Sequence, residues 1–344
     1  MRKIAFSAMA SVAVTLLATP AAAAPVITGT DAMREWNLIV LGDLKSSSEV
    51  EGRTFVGGNL NGNSSNYQIK QVAPSSNGTP GLTVVGDVNG GTKNLQGGAN
   101  VGGTVNSGFN LNGPAQTVNA GGAVKNTNVN QNTVNQNLNG TNPAFAAGLA
   151  AQGNALTQSL GALSTDLSGM TATNIADFTF NRGTFNVLPD SMGQAVFSIT
   201  GDQLNSIGEI QFNLNGAKTV VINVAGKDIV LNDNFLGNSN GLGTNVLWNF
   251  YQATTIRNST AFYGSVLAPN AAATLGNFIQ GSTVVKSAVQ NGEVHLGVLG
   301  GEFNPAAGGV PEPTTWAMLV LGFGLIGGMM RSAKRRPRNA PLTA

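Results

Sequence analysis

The sequence predicts a mainly β protein, a β-solenoid (β-helix) with one flanking α-helix, set between two targeting segments. Three observations carry the prediction. A Gly-Gly phrase recurs through the first half, one leucine-rich stretch interrupts it, and short β-branched and aromatic runs fill the second half.

Residues 57–142 hold 20 Asn and 17 Gly, which by composition alone reads as low complexity. The order of the residues says otherwise. "VGGNLN" at 56, "VGDVNG" at 85, "VGGTVN" at 101 and "AGGAVKN" at 120 are variants of one phrase, spaced 29, 16 and 19 residues apart. Such periods suit stacked structural coils. Each strand, such as "LTVVGDV", offers one or two aliphatic side chains to an interior, and Gly or Asn at the corners tolerates left-handed backbone. Stacking also lets Asn side chains form ladders along the axis.

The interruption, "TNPAFAAGLAAQGNALTQSLGALSTDLSG", places Phe145, Leu149, Leu156, Leu160, Leu163 and Leu167 at helical spacing and predicts a helix over about 143–167. Asn142 suits the N-cap, Pro143 the first helical position and Ser168-Gly169 the stop. Gly148, Gly153 and Gly161 each cost about 1 kcal/mol relative to Ala. The helix should therefore form only when its leucine stripe packs, along the flank of the solenoid. From Phe178 onward, runs such as "AVFSIT", "KTVVINVAG", "NVLWNFYQATTI" and "GSTVVKSAV" read as strands separated by turn residues. Further coils accommodate them. A β-sandwich is the alternative, because evenly spaced short strands suit that fold too.

The first residues, "MRKIAFSAMASVAVTLLATPAAAAPV", have a basic start, an apolar stretch and then small residues. This is the layout of a cleavable signal peptide over residues 1–24, cut by a signal peptidase at the site of Ala22 and Ala24. The body, 25–303, is then expected outside the cytoplasm. A linker, 304–310, leads to an apolar span, 316–330, and a basic tail, 331–338, that includes Arg331, Lys334, Arg335 and Arg336. Fifteen residues make about 22 Å of helix, short against a hydrocarbon core of about 30 Å. Trp316 suits the membrane interface, and the basic residues hold the tail in the cytoplasm. A temporary stop during export is expected, with a permanent anchor as the alternative.

Seven of the 18 Lys and Arg belong to the two ends, whereas 15 of the 16 acidic residues lie in the body. Eleven cations against 15 anions leave the body at −4, so the basic whole-chain balance reports targeting segments. A nucleic-acid partner needs a basic face, and none is visible. There are no cysteines, hence no disulfides and no thiolate-held zinc. A body of this length buries enough surface without them.

No catalytic constellation emerges. His295 is the one histidine, with no Ser or Cys motif beside it to activate, and it reads as a strand residue of the last coil. Asp228 and Asp233 suggest a carboxylate pair for sugar chemistry, but five residues apart they face opposite ways on a continuous strand. "GGANVGG" lacks the Lys and Ser/Thr of a phosphate loop. A calcium repeat needs Asp in every copy of the Gly phrase, and only the second has one, Asp87. No cofactor or metal is expected.

Two stretches resemble a known family. "WNLIVLGDLKSSSEVEGRTFVGGNL" (36–60) and "NVLWNFYQATTIRNSTAFYGSVLAPNAAATLGNFIQGSTVVKSAVQNGEVHLG" (245–297) are similar to the choice-of-anchor A surface proteins, with matches at Gly42-Asp43, Val50-Glu51-Gly52-Arg53, Gly57-Gly58-Asn59, Trp248-Asn249-Phe250 and Gly281-Ser282. The resemblance implies an adhesive domain built like the ice-binding β-solenoid with a helix alongside. Pro311-Glu312-Pro313, Trp316-Ala317, the apolar span and the basic tail resemble a PEP-CTERM sorting signal, making the span a transmembrane sorting helix. That implies a Gram-negative host, processing by an exosortase near the Pro-Glu-Pro motif, and a place at the cell surface or in a biofilm matrix.

The expected function is non-enzymatic adhesion to extracellular polysaccharide or other cell surfaces. Asn and Gln meet sugar hydroxyls as donors and acceptors, and Tyr67, Tyr251, Tyr263, Trp36 and Trp248 are candidates for stacking. The alternatives are an ice-binding protein, which wants a flat array of short side chains, and a polysaccharide-active solenoid enzyme.

Overall fold

The computed structural model describes residues 26–303. The expectations for 1–24, for the linker and for the sorting segment lie outside the described residues. No helix among the described residues is long and apolar enough to cross a membrane.

Nearly every strand pairs in parallel, and the exception is the hairpin Asp177–Thr179/Arg182–Asn186. Parallel ladders with short returns make a β-helix-like stack, not the antiparallel sheets of a β-sandwich. One sheet runs the length of the stack. Its strands follow the order Thr133–Asn135, Thr117–Ala120, Ala99–Val101, Leu82–Val84, Thr54–Val56, Leu38–Val40, Thr283–Gln290, Ser265–Leu275, Val246–Asn249, Thr219–Ala225 and Gln194–Thr200. Two further faces carry the other strands of each coil.

That order is not a one-way winding. The first coil lies in the middle of the stack, paired with the last on all three faces: Leu38 opposite Thr283, Leu44 opposite Ala288 and Val50 opposite Val294. From there the chain winds outward to residue 142, crosses to the far end and winds back. Asn37 joins the two halves. Its Nδ2 donates to the carbonyls of Gly281 (2.9 Å) and His295 (3.0 Å), and its Oδ1 accepts from the Gly52 amide (3.0 Å).

The long helix Ala144–Ser168 makes the crossing. Eleven strands at about 4.8 Å spacing extend about 48 Å, and 25 helical residues cover about 37 Å of it. Leu156, Leu160 and Leu167 are buried against the outer face of the long sheet, on Phe55, Val221, Leu247 and Leu267. Phe145, Leu149 and Leu163 are only half-buried. Ser164 takes a core place that the leucine pattern did not predict. Its Oγ donates to Asn249 Oδ1 (2.6 Å), Asn249 Nδ2 donates to Asn223 Oδ1 (2.8 Å), and Asn223 Nδ2 donates to the Leu167 carbonyl (2.7 Å). Pro143, not Asn142, occupies the N-cap. The flank also holds a second, short helix, Gly29–Glu35, whose Ala32 and Met33 share this cluster.

The Gly-Gly phrases mark corners where one coil rests on the backbone of the next. A Cβ on Gly102 would lie 2.2 Å from the Val85 carbonyl oxygen, and one on Gly121 would lie 2.0 Å from that of Gly102. No side chain fits there.

Candidate functional surfaces

Corner carboxylates and amides are used structurally. Asp43 Oδ1 accepts from the Asn59 amide (2.7 Å), Asn59 Oδ1 from the Asp87 amide (2.9 Å), and Asp87 Oδ1 from the Thr104 amide (2.6 Å). Asp87 is thus a brace between coils. Among the described residues no group of three His, Asp or Glu is placed to hold a metal.

Asp228 and Asp233 do not form a pair. Asp228 is exposed and accepts from Thr255 Oγ1 (2.6 Å). Asp233 is fully buried, and neither carboxylate oxygen has a hydrogen-bond partner. Burial pushes its pKa up to about 7, because the charged form loses its hydration. The outward-winding half has its own buried ion. Lys93 lies inside the stack with Nζ directed to the carbonyls of Gly62 and Asn63, and burial lowers its pKa to about 8.

Of the aromatics considered for stacking, Trp36, Tyr67 and Trp248 are interior. Tyr67 and Trp248 fall on inward positions of their strands, whereas Trp36 caps the helix Gly29–Glu35 and is buried on Phe55 under the flank. Tyr251 and Tyr263 remain half-exposed. Tyr263 belongs to a row of rings on one outer face. Tyr263 and Phe278 have centroids 5.5 Å apart, and Phe278 stacks on His295 at 4.4 Å. Phe235, 5.2 Å from Tyr263, pairs in register with the buried Ile210 and turns inward onto Phe212 and Phe262. His295 Nε2 lies 2.7 Å from Glu293 Oε2. It is a strand residue of the last coil, mid-stack.

The row continues as amides. Asn66 donates to Glu49, Asn94 to Asn66, and Asn110 to Asn94. Rings on the returning half and amides on the outward half therefore share one face. Sequence reasoning missed Phe278, although "NFIQ" carried a signal: of two neighbouring apolar residues in extended chain, only one can face inward, and Ile279 does.

Another face carries mostly short side chains. Thr255, Ala272 and Ser287 align in one outward row, and Arg257, Thr274, Val289 and Lys45 in the next. Two long cations interrupt its short side chains.

The family model described as "Putative Ice-binding-like adhesive domain" matches residues 29–296, which is most of the chain. The chain belongs to this family. The PEP-CTERM protein-sorting motif matches residues 309–336 and marks this family member for export to the cell envelope. No curated protein matches the chain. Among solved structures, it is similar to an ice-binding protein from an Antarctic biological consortium, with 14% identity and TM-score 0.34 over 82% of this chain and 96% of that one. It is also similar to the antifreeze ice-binding protein of an Arctic yeast, with 12% identity and TM-score 0.33 over 83% and 98%.

Proposed function

We propose that the chain is an exported, non-enzymatic surface or matrix protein that adheres to extracellular polysaccharide through the face of rings and amides. An exosortase would act near Pro311, Glu312 and Pro313, freeing the body from its membrane-held tail. The observation that carries the reading is the row that runs from Tyr263, Phe278 and His295 to Asn66, Asn94 and Asn110 on one face. Rings offer apolar faces to sugar C–H groups, and amides offer paired donors and acceptors to hydroxyls. A groove-lined enzyme is less well supported, since the buried Asp233 has no acidic partner and the exposed Asp228 is held by Thr255. Ice binding is disfavoured by Arg257 and Lys45, long cations that interrupt the rows of short side chains.

A glycan array probed with the exported protein tests this. Tyr263→Ser with Phe278→Ser should abolish binding to the glycans that the parent retains, without a comparable loss from Arg257→Ser. Retention by the double variant, or thermal hysteresis in place of glycan binding, overturns it.

A further inference from the structure

The described chain leaves the stack at one particular end. After the last strand, Gly297 lies against Gly243, Gly300 donates to the Thr244 carbonyl (3.0 Å), and Gly301 lies against Thr219. Phe303 then lines a groove of about 580 Å³ with Met192, Gln194 and Lys218. Those contacts belong to successive coils, so residues 297–303 run across the coils toward the terminal coil of the returning half. Arg34 fixes this path, its Nη2 donating to the Gly301 carbonyl (2.7 Å).

That terminal coil exposes four large apolar side chains, where the opposite end exposes one, Val129 at 43%. Ile175 is 92% exposed, Phe180 101%, Leu188 73% and Met192 59%. Four of the seven strongly exposed large apolar side chains among the described residues thus lie on one coil. The opposite end exposes Asn130, Gln131, Asn135 and Gln136. Phe180 is held at a cost. It sits at a hairpin tip with φ 54°, the one aromatic among the non-glycine residues of positive φ, in a region that bulky side chains avoid.

We propose that this coil is a lipid-facing end, occupied by the surface of the membrane that holds the tail. The inference rests on the reading of residues 316–330 as a membrane span. Twelve residues separate Phe303 from Trp316, a tether of at most about 43 Å, and it starts beside Met192. Held there, the body presents Phe180, Ile175, Leu188 and Met192 to the bilayer interface. Charge contributes no attraction, because Arg182 is paired with Glu209 (2.9 Å) and Lys218 is outnumbered by Asp177 and Asp190. The contact should therefore survive high salt.

The chain has no cysteine, so single labels are selective. The full chain is reconstituted into vesicles of phosphatidylethanolamine and phosphatidylglycerol with nitroxide-bearing lipid. An environment-sensitive fluorophore is placed in turn at Phe180→Cys, Asn135→Cys and Leu321→Cys. Severalfold more quenching at 180 than at 135 is expected. Quenching at 321 without quenching at 180 overturns the lipid-facing end and leaves the span reading intact. Absence of quenching at both overturns both, whereas quenching at 180 alone supports the lipid contact and refutes the span. A blue shift at 180 that grows with protein concentration before lipid is added assigns the end to a second copy and overturns the proposal. Phe180→Asn suits the left-handed backbone, so it should not lower Tm, yet it should reduce quenching of a label at Leu188→Cys. Unchanged quenching there also counts against the proposal.

Discussion

The two halves of the stack build the same coil by different means. The outward-winding half uses strands of two to four residues, a mostly aliphatic interior in which Tyr67 and Phe109 are the buried rings, and hydrogen-bonded amide ladders. The returning half uses strands of up to 11 residues around an aromatic interior. There Phe185 meets Phe197, Phe212 and Trp248 with centroids 4.7 to 5.6 Å apart. One half is specified at its corners and edges, the other by the volume of its core. The difference sets where each half is vulnerable.

The largest effect should come where both halves share a support. The long helix spans them, and Leu160 is fully buried. Leu160→Asp loses apolar burial worth about 2–5 kcal/mol and adds a buried charge costing several more. Urea denaturation should show a chain unfolded or nearly so. A variant with the parent's midpoint would mean that the helix does not hold the halves together.

Trp248→Ala comes next, expected to cost about 3–5 kcal/mol. Trp248 touches Phe185, Phe212, Phe250 and Phe262, and its Nε1 donates to the Tyr263 carbonyl (3.2 Å). Hydrogen exchange should quicken first in the strands of residues 194–263. If residues 82–120 exchange equally fast, the halves are one cooperative unit and the contrast between them is not energetic.

The buried ions separate the halves by pH. Between about pH 4 and 7 the unfolded chain has released a proton that folded Asp233 keeps, so stability falls as pH rises through that window. Lys93 acts oppositely at higher pH. From about 8 to 10.5 the unfolded chain keeps a proton that folded Lys93 has lost, so stability rises with pH there. Asp233→Asn should flatten only the lower window in a Tm-against-pH profile. Persistence of that slope would place its origin elsewhere.

The same contrast explains what was legible in the sequence. Corner specification repeats itself, so the phrases at 56, 85, 101 and 120 are enough to announce coils. The stretches 36–60 and 245–297 were also distinctive, and they contain most of the seam, including Asn37, Gly52, Gly281 and Ser282. Core specification does not repeat. Phe185, Phe212 and Trp248 come from coils with different spacings, and only the fold brings them together. Winding direction was illegible too, because parallel pairing looks alike whether neighbours follow in sequence or meet from opposite ends. The helix was read from its leucines, but Ser164 belongs to a polar network whose partners lie 59 and 85 residues away. The ring row was half-hidden by the same parity that put Tyr67 and Trp248 inside.

The smallest effect tests the edges. The ladder on Glu49, Asn66, Asn94 and Asn110 has a direction, and Glu49 sets it. A carboxylate only accepts, so Asn66 must turn its amide nitrogen toward Glu49 and its oxygen toward Asn94. Each later rung inherits that polarity. Asn94→Ala removes one donated and one accepted bond, expected to cost about 1 kcal/mol because the rungs are partly solvated. Asn94→Asp keeps the bond from Asn110 but sets a carboxylate oxygen against Asn66 Oδ1, and Asn66 cannot flip without opposing Glu49. At neutral pH it should therefore be less stable than Asn94→Ala, although it is closer in shape to Asn. Protonation restores a donor, so Asn94→Asp should overtake Asn94→Ala as pH falls below the carboxylate range. Glu49→Gln, which accepts either orientation, should remove the difference at neutral pH. If Asn94→Asp equals Asn94→Ala throughout, the rungs are solvated ornaments and the outward half is held by its glycine corners alone.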